Sequence, residues 1–259
     1  MRGEAREQAV VDTLFAQILA AGESAPRARE VLLSSTDETV LAAVLQRAVP
    51  VAFLEAVAAV SPWSERPRLL ARVVLNPRAP RTLSQRLVSA LYWRDLAEVA
   101  ATPRLVAAVR SRAESQLRDG LADMRLGDRV TLARLATPAL LPLLLSDTER
   151  QVAEAALRNA RLREEDLTTA LRRDDVRAVL IETVAGSQRW SASYAVQLTL
   201  VLQPKTPLAL ALPRLRTLVP RDLRRVAEDE TLRPLVRAAA REVLEHASGG
   251  TGGAQPPDS

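Results

Sequence analysis

The chain has 259 residues, a net charge of +5, 47% hydrophobic and 26% charged residues, and only 3% aromatics. It contains no cysteine, which excludes disulfides, thiolate metal sites and a cysteine nucleophile. Leu, Val and Ala dominate the apolar content, which favours helices over strands, and Lys205 is the one lysine among 36 basic residues, an arginine bias that GC-rich coding alone can produce.

Taken in chain order, Met1 to Gln8 is polar and the short apolar stretch Ala9-Val10-Val11 is cut by Asp12, so no secretory signal is read. Residues 1–21 read as a helix with Val10, Leu14 and Ile18 on one face, a cap over the first repeat. Leu32-Leu33-Ser34 with Thr36, Val40 and Leu45 resembles Leu144-Leu145-Ser146 with Thr148, Val152 and Leu157, at an offset of 112 (148 less 36). The longest apolar runs, such as Ala139–Leu145, fall far short of the ~20 residues that span a bilayer. These features predict a cytoplasmic protein with no membrane insertion.

From Ser61 the pattern repeats. Trp63-Ser64 returns as Trp190-Ser191, an offset of 127 (190 less 63). At that offset Val74-Leu75 returns as Val201-Leu202, Pro77 and Pro80 as Pro204 and Pro207, and Arg94-Asp95-Leu96 as Arg221-Asp222-Leu223. The copies run over 61–118 and 188–245, with roughly a third of positions identical. Ser61-Pro62, Thr102-Pro103, Thr137-Pro138 and Thr206-Pro207 predict hydroxyl N-caps followed by proline at the first helical position. Asp95, Asp222 and Asp166 read as further helix starts. Leu105, Val109, Ala113 and Leu117 form an apolar stripe, repeated after Leu232 by Val236, Ala240 and Leu244. About sixteen helices and no strand follow from this punctuation. The expected organisation is one domain over 1–247, then a disordered Gly/Pro-rich tail over 248–259.

The segments Val109-Arg110-x-x-Ala113, Val236-Arg237-x-x-Ala240 and Asp174-Asp175-Val176-Arg177 resemble the core of HEAT-type repeats. Asn76-Pro-Arg-Ala-Pro80 and Gln203-Pro-Lys-Thr-Pro207 are similar to phrases of bacterial HEAT-like, leucine-rich-variant repeat proteins. The resemblance spans roughly 30–247 and implies an all-α, right-handed HEAT-like superhelical solenoid of antiparallel helix pairs. It also implies a structural role for Arg110, Arg177 and Arg237, each bonded to an aspartate across the stack.

No constellation for catalysis emerges. His246 is the only histidine and sits near the C-terminus without Cys or His neighbours. No glycine-rich loop precedes a Lys-Ser/Thr pair, which excludes a P-loop. Glu164-Glu165-Asp166 and Asp174-Asp175 read as helix-start carboxylates. Trp63 and Trp190 read as packing residues, with exposure on a nucleic-acid groove as the functional alternative. Arg214, Arg221, Arg224 and Arg225 form a basic cluster that either pairs with Glu228, Asp229, Glu230, Glu242 and Glu245 or binds phosphates or an acidic partner. The reading is a non-catalytic, cofactor-free scaffold or adaptor that binds a protein along a concave face. Nucleic-acid binding through the C-terminal arginines is the alternative, and the discriminating question is whether those arginines share one face.

Overall fold

The computed structural model describes the backbone of residues 2–249 and the side chains of 6–246. Eighteen α-helices and three short 3-10 turns make up the regular structure, and no strand occurs among the described residues. The tail expected over 248–259 lies outside the described residues except for 248–249, which continue the last helix. Contacts within the chain cluster into two compact units, 1–124 and 125–259.

The first unit comprises α1 (Arg2–Ala21), α2 (Ala25–Ser34), α3 (Glu38–Val44), α4 (Val51–Ala59), α5 (Pro67–Leu75), α6 (Arg81–Leu87), α7 (Trp93–Ala101) and α8 (Ala107–Asp119). Helices pack on their next-but-one neighbours: α1 on α3, α3 on α5, α5 on α7, with α2 on α4 and α6 on α8. Short helices are stable here because tertiary packing replaces what length cannot provide. In α5, Leu69, Leu70, Ala71, Val73, Val74 and Leu75 are all buried, so this helix is enclosed on several sides. Of the face expected for α1, Leu14 and Ile18 are buried and Val10 is replaced by Val11. Val11, Leu14, Ile18 and Ala21 are buried while Val10 is 49% exposed, because a spacing of three then four follows the helical period through Val11. Gly22, at φ +59°, stops α1 in the left-handed conformation that glycine adopts without a Cβ penalty.

The second unit comprises α9 (Leu126–Leu135), α10 (Leu141–Leu145), α11 (Arg150–Leu157), α12 (Glu164–Leu171), α13 (Ala178–Gly186), α14 (Gln188–Ser191), α15 (Tyr194–Leu202), α16 (Leu208–Leu215), α17 (Pro220–Glu228) and α18 (Pro234–Gly249). One rank runs α9, α11, α13 and another runs α10, α12, α15, α17, with α16 on α18.

Helix boundaries extend the duplication. At the 127 offset α4 falls on α13, α5 on α15 and α7 on α17, residue for residue, and α3 falls within α12. The fold therefore repeats from residue 38 and not only from 61. The 112 offset read for Thr36–Leu45 aligns α3 with α11 instead, one helix too early. Over this stretch the copies share apolar character more than identity: Val44, Val49, Leu54 and Val57 answer to Leu171, Val176, Ile181 and Val184, all buried.

The predicted helix starts are displaced. Side-chain N-caps are made by Asp37, which accepts from the N–H groups of Thr39 and Val40, and by Ser193, which accepts from Val196 N–H. The Ser/Thr-Pro pairs lie elsewhere: Thr102 ends α7, and α8, α10 and α16 are preceded by Val106, Leu140 and Pro207. Asp95, Asp166 and Asp222 occupy the third position of α7, α12 and α17. A carboxylate there suits the positive helix end without capping it.

Candidate interaction surface

A device that sequence reading overlooked holds the stacked helices together. Asn76 follows α5 and is 3% exposed. Its Nδ2 donates to the carbonyls of Leu45 and Arg47, 2.7 Å each, at the end of α3. Its Oδ1 accepts from Arg78 N–H at 3.0 Å. Gln203 repeats this after α15: Nε2 donates to Leu171 O (2.7 Å) and Arg173 O (3.4 Å), and Oε1 accepts from Lys205 N–H (3.1 Å). Asn159, after α11, donates to Ala133 O, Ala136 O and Arg134 O at 2.8, 3.1 and 3.2 Å and accepts from Arg161 N–H at 2.8 Å. Each amide thus satisfies carbonyls left unpaired at the end of a neighbouring helix.

A basic side chain two residues beyond such a helix end often adds a second tie. Arg161 donates to Leu135 O and Arg104 to Leu75 O, both at 3.0 Å, and Lys205 donates to Asp174 O. For Asn76, Asn159 and Gln203 the signal was present in the sequence as Asn/Gln-x-Arg/Lys just after a helix, whereas Arg104 follows Thr102-Pro103.

The sequence-predicted site residues separate into two groups. Trp63 and Trp190 are 7% and 4% exposed, so neither ring is free to stack on a base. Trp190 Nε1 donates to Leu157 O at 2.9 Å, and the Arg189 guanidinium lies 4.3 Å from the ring centre. Arg214 is half-buried; it donates to Leu210 O (2.6 Å) and to Ala185 O (3.0 Å) at the end of α13, and burial lowers its pKa. It ties α16 to α13 and does not join the cluster on α17.

Arg221, Arg224 and Arg225 do converge. All three are exposed on α17, opposite the buried Leu223, Val226 and Ala227. At 100° per residue they and Glu228 fill one stripe about 100° wide. None of the three forms an ion pair among the described residues, so the predicted pairing with nearby carboxylates is not made. Beside the stripe, Tyr194 Oη donates to the Asp222 carboxylate and accepts from Val219 N–H at 3.2 Å. Burial and then the neighbouring Asp222 raise the Tyr194 pKa. The ring is 39% exposed.

The HEAT-type arginines depart from expectation. Arg177 is exposed, and Arg110 and Arg237 are half-buried with Nε atoms that lack a hydrogen-bond partner. The partly buried arginine–aspartate pair is instead Arg129–Asp147, 3.1 Å, with the aspartate side chain 4% exposed. Among the acidic clusters, Arg173 grips Asp175 at 2.8 and 2.9 Å and holds its pKa down to about 2, while Glu164 accepts from Ser193 Oγ at 2.6 Å. His246 Nδ1 contacts Glu242 O at 2.8 Å within α18.

In the first unit the equivalent face carries a groove of about 640 Å³ over α3, α5 and α7, lined by Glu38, Arg68, Arg72 and Asp95 around a floor of Ala42 and Ala43. Two of its charges pair with residues at its margin: Arg72 meets Glu98 at 3.1 Å and Glu38 meets Arg66 at 3.8 Å. Burial, and next the Glu98 charge, raise the pKa of Asp95. No helix among the described residues is long and apolar enough to cross a membrane. No protein family, curated protein or solved structure matches the chain.

Proposed function

We propose that the chain is a non-catalytic interaction scaffold, a right-handed HEAT-like solenoid that offers one rank of helices as a concave face to a protein partner in the cytoplasm. The observation that carries this reading is the ranked stacking of short helices fixed by repeated amide clamps at Asn76, Asn159 and Gln203. Such packing commits the polar side chains to rigidity and leaves a preformed surface for binding. A second reading, nucleic-acid binding, draws support from the convergence of Arg221, Arg224 and Arg225 on one stripe.

Affinity capture from the source organism, with and without nuclease, tests both. The scaffold reading expects a protein retained at fixed stoichiometry after nuclease treatment, measured by mass spectrometry and light scattering. Loss of all bound material on nuclease treatment refutes it in favour of the second.

A further inference from the structure

The two copies have diverged most informatively on the α5–α7 face of the first unit and the α15–α17 face of the second. At the 127 offset Pro67 becomes Tyr194, Arg72 becomes Thr199, Ala97 becomes Arg224 and Glu98 becomes Arg225, while Arg94 and Arg221 are shared. The Arg72–Glu98 pair of the first copy is thereby dismantled. The second copy has two added cations on α17, and Tyr194 beside them stands at an end where Tyr92 and Trp93 of the first copy give way to Val219 and Pro220.

Resting on the scaffold reading, we propose that the α15–α17 face docks an acidic segment of a protein partner that also carries an apolar anchor. Arg221, Arg224 and Arg225 form the cationic stripe, and Tyr194 and Val219 form its apolar edge. Tyr194 is fixed by its bonds to Asp222 and Val219, so little side-chain entropy is lost when it is covered. Val219 is 48% exposed beside it. Arginine and tyrosine over a small apolar patch are the residues that carry protein–protein affinity.

The small net charge of this face favours a partner that also makes apolar contacts over a nucleic acid held by phosphates alone. Three arginines less Asp222 and Glu228 leave α17 at +1. Three phosphate contacts would give a salt slope of only about −2.7 on duplex DNA, well below that of tight generic binders, and Glu228 within the stripe repels a phosphate backbone. A peptide can place carboxylates against the arginines and apolar groups against Tyr194 and Val219.

The test uses the full chain and two fluorescent probes, a glutamate–tyrosine copolymer and an oligothymidylate, followed by anisotropy at several salt concentrations. The copolymer is expected to bind, with affinity falling about tenfold or more in R221E/R224E/R225E and in Tyr194→Ala. Reversal of Arg112 and Arg118, exposed on α8 of the first unit, is the control and should leave affinity unchanged. Far-UV spectra like the wild type's and a cooperative melting transition above the assay temperature confirm that the variants are folded. Absence of copolymer binding, equal losses in the control, or tighter binding of oligothymidylate at the same residues each overturns the proposal. Nuclease-resistant capture of a protein that survives the α17 reversals overturns this site while the scaffold reading stands.

Discussion

Replacing Asn159 by Ala should cost the second unit about 3–4 kcal/mol. The amide is 2% exposed, and it donates to three carbonyls around the end of α9 while accepting from Arg161 N–H. Two good donor bonds and one acceptor bond contribute about 1 kcal/mol each, and carbonyls left dry and unpaired add a further penalty of about 1 kcal/mol. With a urea dependence of about 2 kcal/mol/M, the unfolding midpoint should fall by about 1.5–2 M. Asn159→Asp sharpens the test, because a carboxylate would face the same carbonyls with no donor. The folded-state pKa of that introduced carboxyl is then raised, so it costs stability as pH rises through the carboxylate range, and at neutral pH the variant should be weaker than Asn159→Ala. Lowering the pH restores an O–H donor and should narrow that gap. Urea titrations followed by far-UV circular dichroism at acid and neutral pH measure both effects. An unfolding free energy for Asn159→Ala within about 0.5 kcal/mol of wild type, or an aspartate variant no weaker than alanine at neutral pH, would refute the clamp argument.

Asp95→Asn should be neutral to stabilising at neutral pH: the folded pKa is raised, so the wild type loses stability as pH rises above the usual carboxylate value, and melting curves of the two proteins should converge in acid. Arg129→Met should destabilise by about 2–4 kcal/mol, since it leaves the Asp147 carboxylate buried without its cation, and a second change, Asp147→Asn, should recover part of that loss in a double-mutant cycle. Gly22→Ala should cost about 1 kcal/mol in chemical denaturation through backbone strain alone, because no atom lies within 4 Å of the added methyl. Tyr194→Phe should keep the exposed ring and lose the bond to Asp222, lowering melting temperature slightly without abolishing any binding at that face.

The sequence by itself determined the all-helical character and the core of the duplication. Apolar residues at helical spacing, Pro-bounded turns and matching Trp63 and Trp190 are local signals, and local signals survive in a linear text. It did not determine where helices begin. Thr102 and Asp95 satisfy the chemistry of a cap, yet a terminus is set by where neighbouring helices let the chain turn, so Asp95 sits inside α7 and Thr102 ends it. It also did not show that the repeat reaches back to residue 38, because buried positions such as Leu54 and Ile181 need only be apolar to fill the same space. The basic cluster divides for the same reason. Arg214, Arg221, Arg224 and Arg225 are alike as letters, but packing aims Arg214 at the carbonyl of Ala185 and leaves the other three in solvent. Only tertiary structure decides which guanidinium meets a helix end, since that partner lies 29 residues away along the chain.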